Sequence, residues 1–130
     1  MNEMQLQVEE FHEEFNAPMQ PFNDPKLPER AELRAKLILE EAEETAAALR
    51  RGDLIETIDG LCDTLYVVFG TAVEMGIDLQ VFMDEVHASN MSKRGGGFRE
   101  DGKILKGPNY FKPDLVRIFE SERRYWKNAT

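Results

Sequence analysis

Carboxylate side chains are concentrated in two neighbouring stretches of the chain, with a spacing that suits metal-ion chemistry. The first stretch contains Glu40, Glu41 and Glu44, and the second contains Asp59 and Asp63. Residues three or four positions apart lie on one face of a helix, so each stretch gathers its acids on one side. Carboxylates about 4 Å apart repel by roughly 4 kcal/mol at an effective dielectric constant near 20. These acids therefore form either a solvated charged face or a cation site.

Hydrophobic periodicity predicts an all-α protein and places both acidic stretches on long helices. The predicted helices cover residues 3–15, 29–51, 53–75, 79–93 and a last segment that starts with Pro113 at its first helical position. Only Gly52 separates the second helix from the third, so these two form an antiparallel hairpin. A glycine-rich loop or small hairpin is expected over residues 94–112. We predict one domain over residues 1–130.

The antiparallel pairing brings the two acidic stretches together. Residues whose numbers sum to about 104 lie opposite each other across such a hairpin, because of the position of its turn. Glu41 is thus expected near Asp63, and Glu44 near Asp59 or Gly60. The convergence of acids from both helices favours the cation site over the solvated face.

The chemistry of the donor atoms indicates which cation would bind. No histidine or cysteine lies obviously in the acidic cluster, so its ligands are oxygen atoms, which select Mg²⁺ or Mn²⁺ over Zn²⁺. Mg²⁺ commonly completes its coordination shell with substrate phosphates. A phosphate ester or anhydride is therefore the expected substrate.

Composition excludes several other functional classes. The chain has 42% hydrophobic and 32% charged residues, which argues against both intrinsic disorder and a membrane protein. Its formal net charge of -9 argues against binding to DNA or RNA, which requires a basic face. The N-terminus lacks the pattern of a signal peptide. We expect a soluble, cytoplasmic protein with neither a nucleic-acid polymer nor a membrane as its partner.

The two acidic stretches resemble the signature of the MazG-like all-α nucleoside triphosphate pyrophosphohydrolases. That superfamily includes MazG, dimeric dUTPases, dCTP pyrophosphatase and phosphoribosyl-ATP pyrophosphohydrolase, and its signature is E-E-x-x-E on one helix and E-x-x-D on the next. Glu40, Glu41 and Glu44 fit the first motif, and Asp63 fits the last position of the second. The downstream elements NMSK, DGK and KGPNY look like those of compact bacterial and phage members.

The chain departs from this signature at Gly60, where the superfamily usually has glutamate. We expect Asp59 to substitute for that glutamate, because a spacing of four also keeps two side chains on one helical face. A rival register pairs Glu56 with Asp59 but leaves Asp63 without a role.

The resemblance implies a fold, a reaction and a metal site. The fold is a four-helix-bundle core completed by oligomerisation, as a homodimer or a dimer of dimers. The reaction is hydrolysis of a nucleoside triphosphate to the monophosphate and pyrophosphate, with two or three Mg²⁺ ions, or Mn²⁺ as a substitute. Glu41 or Glu40 accepts the proton of the attacking water. The implied metal ligands are Glu40, Glu41, Glu44, Asp59 and Asp63.

The resemblance also implies residues that bind the rest of the substrate. Asn90 and Lys93 match an N-x-x-K element that binds phosphate, and Arg94 begins a basic segment beyond it. Aromatic residues near the first helix and the acids would hold the base and sugar: Phe11, His12, Phe15, Phe22 and Tyr66.

Two alternatives differ from this interpretation. The protein could be a phosphoribosyl-ATP pyrophosphohydrolase, although the loop and the C-terminal helix favour a role in the nucleotide pool. It could instead be a noncatalytic helical interaction protein, in which case Mg²⁺ would neither bind nor raise the melting temperature. The sequence does not identify the base of the substrate, and dUTP, dCTP and dGTP or GTP all remain candidates.

Overall fold

The chain folds into five α-helices, as seen in a computed structural model that describes residues 1–129. The helices are α1 (Glu3–Glu14), α2 (Ala31–Arg51), α3 (Leu54–Met75), α4 (Leu79–Met91) and α5 (Leu115–Ala129). Within the described residues, β-structure is limited to one antiparallel bridge between Phe98 and Ile104. The predicted all-α class is confirmed. No single described helix is long and apolar enough to cross a membrane.

Glycine ends both helices of the central hairpin. Gly52 adopts the left-handed conformation, with φ at 73°, and its N–H bonds to the last carbonyls of α2. Asp53 then caps α3 by accepting a hydrogen bond of 3.1 Å from the N–H of Glu56. Gly76 ends α3 in the same conformation, with φ at 75°. Each helix of the hairpin therefore ends at a left-handed backbone position that favours a residue without a side chain.

Contacts divide the chain into two compact units, and the first contains Met1–Leu79. In this unit a small apolar cluster of Val8, Phe69 and Val73 joins α1 to α3. The buried amide of Gln5 fastens α1 further, because its oxygen accepts a hydrogen bond of 3.1 Å from the N–H of Leu79. Apolar packing thus holds α1 to the hairpin, and a hydrogen bond accepted by the Gln5 side chain holds it to the first residue of α4.

The second unit begins at Gln80. Within it, the hydroxyl of Ser89 donates to the carbonyl of Phe111 at 2.7 Å, and Glu85 accepts from the N–H of Asp114 at 2.9 Å. These bonds fasten the segment before α5 to α4. The single-domain prediction over residues 1–130 stays a prediction.

The last helix begins later than the sequence pattern indicates. Asp114 caps α5, because its side chain accepts a hydrogen bond of 3.1 Å from the N–H of Arg117. Pro113 therefore precedes the cap, and the helix begins at Leu115. The prediction that Pro113 is the first helical position is wrong, since an aspartate that satisfies a free N–H sets the boundary.

Candidate active site

Glu41 lies at the centre of the acidic seam, the set of carboxylates that α2 and α3 bring together. Burial raises the pKa of its carboxyl, and the negative charges of Glu44, Asp63, Glu40 and Asp59 raise it further. The structure therefore brings the five acids singled out from the sequence within electrostatic reach of one another. Like charges gathered at one place disfavour the ionised form of the group that they surround.

One oxygen of Glu41 has no partner in the described part of the chain. Its Oε2 atom is buried and accepts no hydrogen bond from any group there. A buried acceptor left unbonded costs about 1–3 kcal/mol, and native proteins satisfy most such atoms. Hard divalent cations prefer carboxylate oxygens, so this atom and its acidic neighbours have the donor chemistry that Mg²⁺ or Mn²⁺ requires.

The seam is open rather than a closed metal cage. Over residues 1–129, no three histidine, cysteine, aspartate or glutamate side chains are close enough together to hold one ion. Glu40, Glu44 and Asp59 are exposed and Asp63 is half-buried. This arrangement suits an ion that takes part of its shell from water and substrate phosphates, as Mg²⁺ does.

The close packing of α2 on α3 explains the glycine at position 60. A Cβ atom on Gly60 would lie 3.1 Å from both Cα and Cβ of Thr45 on α2. A glutamate there, as in the superfamily signature, would run into α2. Asp59 and Asp63 lie on either side of this contact and both raise the pKa of the central carboxyl, whereas Glu56 is not among the causes of that shift.

An aromatic cleft of about 510 Å³ lies beside α1. Its lining residues are Gln7, Glu10, Phe11, Glu14, Phe15 and Tyr66. The ring of Phe11 packs against Phe15 with 4.7 Å between centroids and meets Tyr66 edge to face at 5.5 Å. Tyr66 follows Asp63 by about one helical turn. The cleft therefore adjoins the acidic seam along α3, and it unites three of the five aromatic side chains expected around the base.

The structure places the other two residues outside this lining. His12 is buried, with Nδ1 3.0 Å from the carbonyl oxygen of Val8 and Nε2 3.3 Å from Oε2 of Glu74. Phe22 is half-buried and does not line the cleft. His12 is therefore engaged in internal polar contacts with Val8 and Glu74 rather than open to a base.

The buried carboxylate of Glu74 was not singled out from the sequence. Arg30 bonds both of its oxygens, at 3.0 and 2.9 Å, and Arg34 lies 3.0 Å from Oε2. Burial alone would raise the pKa of Glu74, but hydrogen bonds from Arg30 and His12 and the charges of both arginines lower it. The numbers of Arg30 and Glu74 also sum to 104, the value that predicts opposite positions across the hairpin. The sequence therefore already indicated this pair.

The residues expected to bind phosphate share a cavity in the second unit. This cavity has a volume of about 290 Å³ and is lined by Asn90, Met91, Lys93, Arg94, Gly95, Gly97, Phe98 and Ile104. The antiparallel bridge between Phe98 and Ile104 closes the small hairpin that forms part of the wall. The structure thus brings Asn90, Lys93 and Arg94 together, and their role as phosphate ligands stays a prediction.

Comparison with known proteins gives one family match. A family model described as phosphoribosyl-ATP pyrophosphohydrolase matches residues 8–90. The matched segment contains both acidic stretches and most of the aromatic cleft, and it ends at Asn90. No curated protein matches the chain.

Proposed function

The chain belongs to the phosphoribosyl-ATP pyrophosphohydrolase family, within the MazG-like all-α superfamily, and we propose that it hydrolyses a nucleoside triphosphate to the monophosphate and pyrophosphate. The family points to a pyrophosphohydrolase that acts on a nucleotide. The triphosphate substrate and the dependence on Mg²⁺ are our proposal. Its main support is the buried Oε2 of Glu41, which has no partner among residues 1–129 and is surrounded by four other carboxylates.

In this mechanism the acids of the seam have two tasks. Glu40, Glu41, Glu44, Asp59 and Asp63 would hold the divalent ions, and Mg²⁺, when bound, offsets negative charge on the phosphates and the leaving group. Glu41 is the preferred general base, because it lies at the centre of the seam, where a carboxylate oxygen that the ions leave free can accept the proton of the attacking water.

The reaction at phosphorus is a substitution by water. The water oxygen bonds to the α-phosphorus as its proton passes to the carboxylate of Glu41, or of Glu40 in the alternative assignment. The bond between the α-phosphorus and the bridging oxygen breaks, and pyrophosphate leaves with that oxygen. Phe11, Phe15 and Tyr66 would hold the base and sugar during this step, and Asn90, Lys93 and Arg94 would bind phosphate.

A second copy of the chain is the proposed partner, as a homodimer or a dimer of dimers. The support is a set of large apolar side chains on the hairpin that stay at least half exposed: Leu39, Leu49, Leu54, Ile55, Ile58 and Leu61. Leu54 and Ile55 retain 71% and 70% of their surface. Extended apolar surface of this kind marks an interface. Sedimentation at micromolar concentration tests this, and a fully active monomer would contradict it.

Phosphoribosyl-ATP is a second candidate substrate, favoured by the description of the matching family. It carries an additional phosphorylated ribose on its adenine. Glu10 and Glu14 line the cleft proposed for the base, and their charges would repel that phosphate. We therefore rank a simple nucleoside triphosphate first.

A panel of nucleotides tests the proposed function. The purified protein is incubated with Mg²⁺ or Mn²⁺ and each common nucleoside triphosphate, and with phosphoribosyl-ATP, and released pyrophosphate is resolved from orthophosphate. We expect pyrophosphate and a monophosphate, and no turnover after chelation of the metal. No turnover with any nucleotide, together with a melting temperature that Mg²⁺ and Mn²⁺ leave unchanged, would favour the noncatalytic interaction protein.

A further inference from the structure

We infer that the polar rim of the aromatic cleft selects bases that present hydrogen-bond donors, guanine above all, and discriminates against uracil and thymine. The inference rests on the proposed function, because it takes the cleft beside the acidic seam as the site of the base. The rim consists of Gln7, Glu10 and Glu14, which lie on α1 at spacings of three and four residues. Such spacings place the three side chains along one side of the helix.

The aromatic side chains of the cleft provide affinity without selecting a base. Every nucleobase has a π-face, so rings such as Phe11, Phe15 and Tyr66 can stack on any of the bases. The volume of about 510 Å³ falls within the range of about 300–1,000 Å³ that is typical of small-molecule sites. Selection must therefore come from the polar groups at the edge of the cleft.

The rim side chains are free to bind a ligand. Over residues 1–129, Gln7, Glu10 and Glu14 take part in no side-chain hydrogen bond or ion pair with the protein. Two of the three are carboxylates, which only accept hydrogen bonds when ionised. Only the Gln7 amide can donate. The rim therefore presents mainly acceptors to the edge of a bound base.

The edges of the bases differ in how well they match such a rim. Guanine presents its N1 imino and 2-amino groups side by side, and these two donors fit the two oxygens of one carboxylate. Cytosine and adenine each present one amino group. Uracil and thymine present a single imino group between two carbonyl oxygens, which would face the carboxylate as like partial charges. The expected order is guanine, then cytosine and adenine, then uracil and thymine.

The test compares nucleotides that differ at one edge. The full chain is assayed with dGTP, dITP and dUTP, where dITP keeps the imino group of guanine but lacks the 2-amino group. We expect kcat/KM for dGTP to exceed that for dUTP by roughly 10- to 100-fold, since one bidentate contact discriminates bases by that factor. The value for dITP should lie between the two.

Variants of the rim identify the groups responsible. Glu10→Gln and Glu14→Gln keep the size of the side chain but replace one acceptor oxygen with a donor. At least one of them should lower the ratio of kcat/KM for dGTP over dUTP by roughly 10-fold. The matched control is Glu13→Gln, because Glu13 is an exposed residue of α1 that does not line the cleft, and it should leave the ratio unchanged.

Two measurements separate failure of this inference from failure of the proposed function. If triphosphates are hydrolysed but dUTP matches or exceeds dGTP, or both variants keep the wild-type ratio, the selectivity of the rim is refuted and the function stands. If no triphosphate is hydrolysed, the proposed function fails, and calorimetric binding of dGMP, dIMP and dUMP decides the inference. Tighter binding of dGMP than of dUMP supports it, and equal or undetectable binding of both overturns it.

Discussion

Two carboxylates of the same helical hairpin, Glu41 on α2 and Glu74 on α3, have opposite surroundings. Glu74 is only 4% exposed and is bonded by Arg30, Arg34 and His12, so that its pKa is lowered. Glu41 has a buried oxygen that no described residue contacts through a hydrogen bond, and its pKa is raised. Opposite charges stabilise the fold at the open end of the hairpin, and like charges destabilise it at the seam, about midway along both helices.

This difference shows which part of the hairpin carries function. A satisfied ion-pair network is explained by the fold itself and requires no ligand. A cluster of acids that weakens the fold persists when something outside the chain, such as a cation with its substrate, relieves the repulsion. The comparison thus separates a structural glutamate from a functional one on the same scaffold.

The largest expected effect is on turnover. Glu41→Gln, Glu44→Gln and Asp63→Asn should each lower kcat by about 10²- to 10⁴-fold, to the point of abolishing measurable turnover, while circular dichroism shows unchanged helix content. Each variant removes charge without removing a core side chain. The metal-free melting temperature should stay the same or rise, because mutual repulsion is relieved. Normal turnover in any two of the three would refute the site.

At the open end of the hairpin, away from the seam, the same chemical change should affect stability instead. Glu74→Gln leaves the buried guanidinium of Arg34 without its counter-charge, and breaking such a pair costs about 3–5 kcal/mol. Urea unfolding measures the loss. Glu43→Gln is the matched control, because Glu43 is exposed and should change the free energy of unfolding by less than about 0.5 kcal/mol. Equal stability of the two variants would show that the network contributes nothing.

A smaller effect distinguishes the two registers of the metal ligands on α3. Asp59→Ala should lower kcat/KM by roughly 10-fold or more, because it removes charge that acts on Glu41. Glu56→Ala should keep kcat/KM near the wild-type value, because Glu56 lies in the first turn of α3 and does not act on Glu41. If Glu56→Ala is inactive and Asp59→Ala is unaffected, the rival register is correct.

The smallest effect is a dependence of stability on pH. The pKa of Glu74 is lower in the folded chain than its ordinary value of 4.5. Its ionised form is therefore favoured by folding, so its contribution is fully present well above pH 4.5 and is lost as the pH falls through the folded pKa. Urea midpoints measured from neutral pH downward should fall less steeply in Glu74→Gln than in the wild type. Parallel curves would contradict the role of this carboxyl.

Much of the fold and the seam could be predicted because both depend on local signals. Helical periodicity, Gly52 and Gly76 are readable in the chain, and the position of the turn dictates which residues of α2 and α3 face each other. Pro113 misled because two start signals compete at adjacent positions, proline at a first helical position and aspartate at an N-cap, and the bond from Arg117 shows that Asp114 prevails.

Other features depend on packing that periodicity does not contain. Gly60 is explained by the close approach of Thr45 on α2, and this approach can be seen only when the distance between the two helices is known. The residue type alone could not show that His12 lies outside the base site while Phe11 and Phe15 line it. The rotation of α1 about its axis decides which way each of these side chains points. That rotation turns His12 to Glu74 and the two phenylalanines to the cleft.

The central claim is that water attacks the α-phosphorus of a nucleoside triphosphate at the acidic seam. Hydrolysis in water enriched in heavy oxygen tests it directly, with the nucleotide that turns over fastest and with Mg²⁺ present. Phosphorus NMR or mass spectrometry then locates the label. We predict that the label enters the nucleoside monophosphate, that pyrophosphate stays unlabelled, and that Glu41→Gln yields neither product. Label in pyrophosphate, or release of labelled orthophosphate instead, would contradict the account.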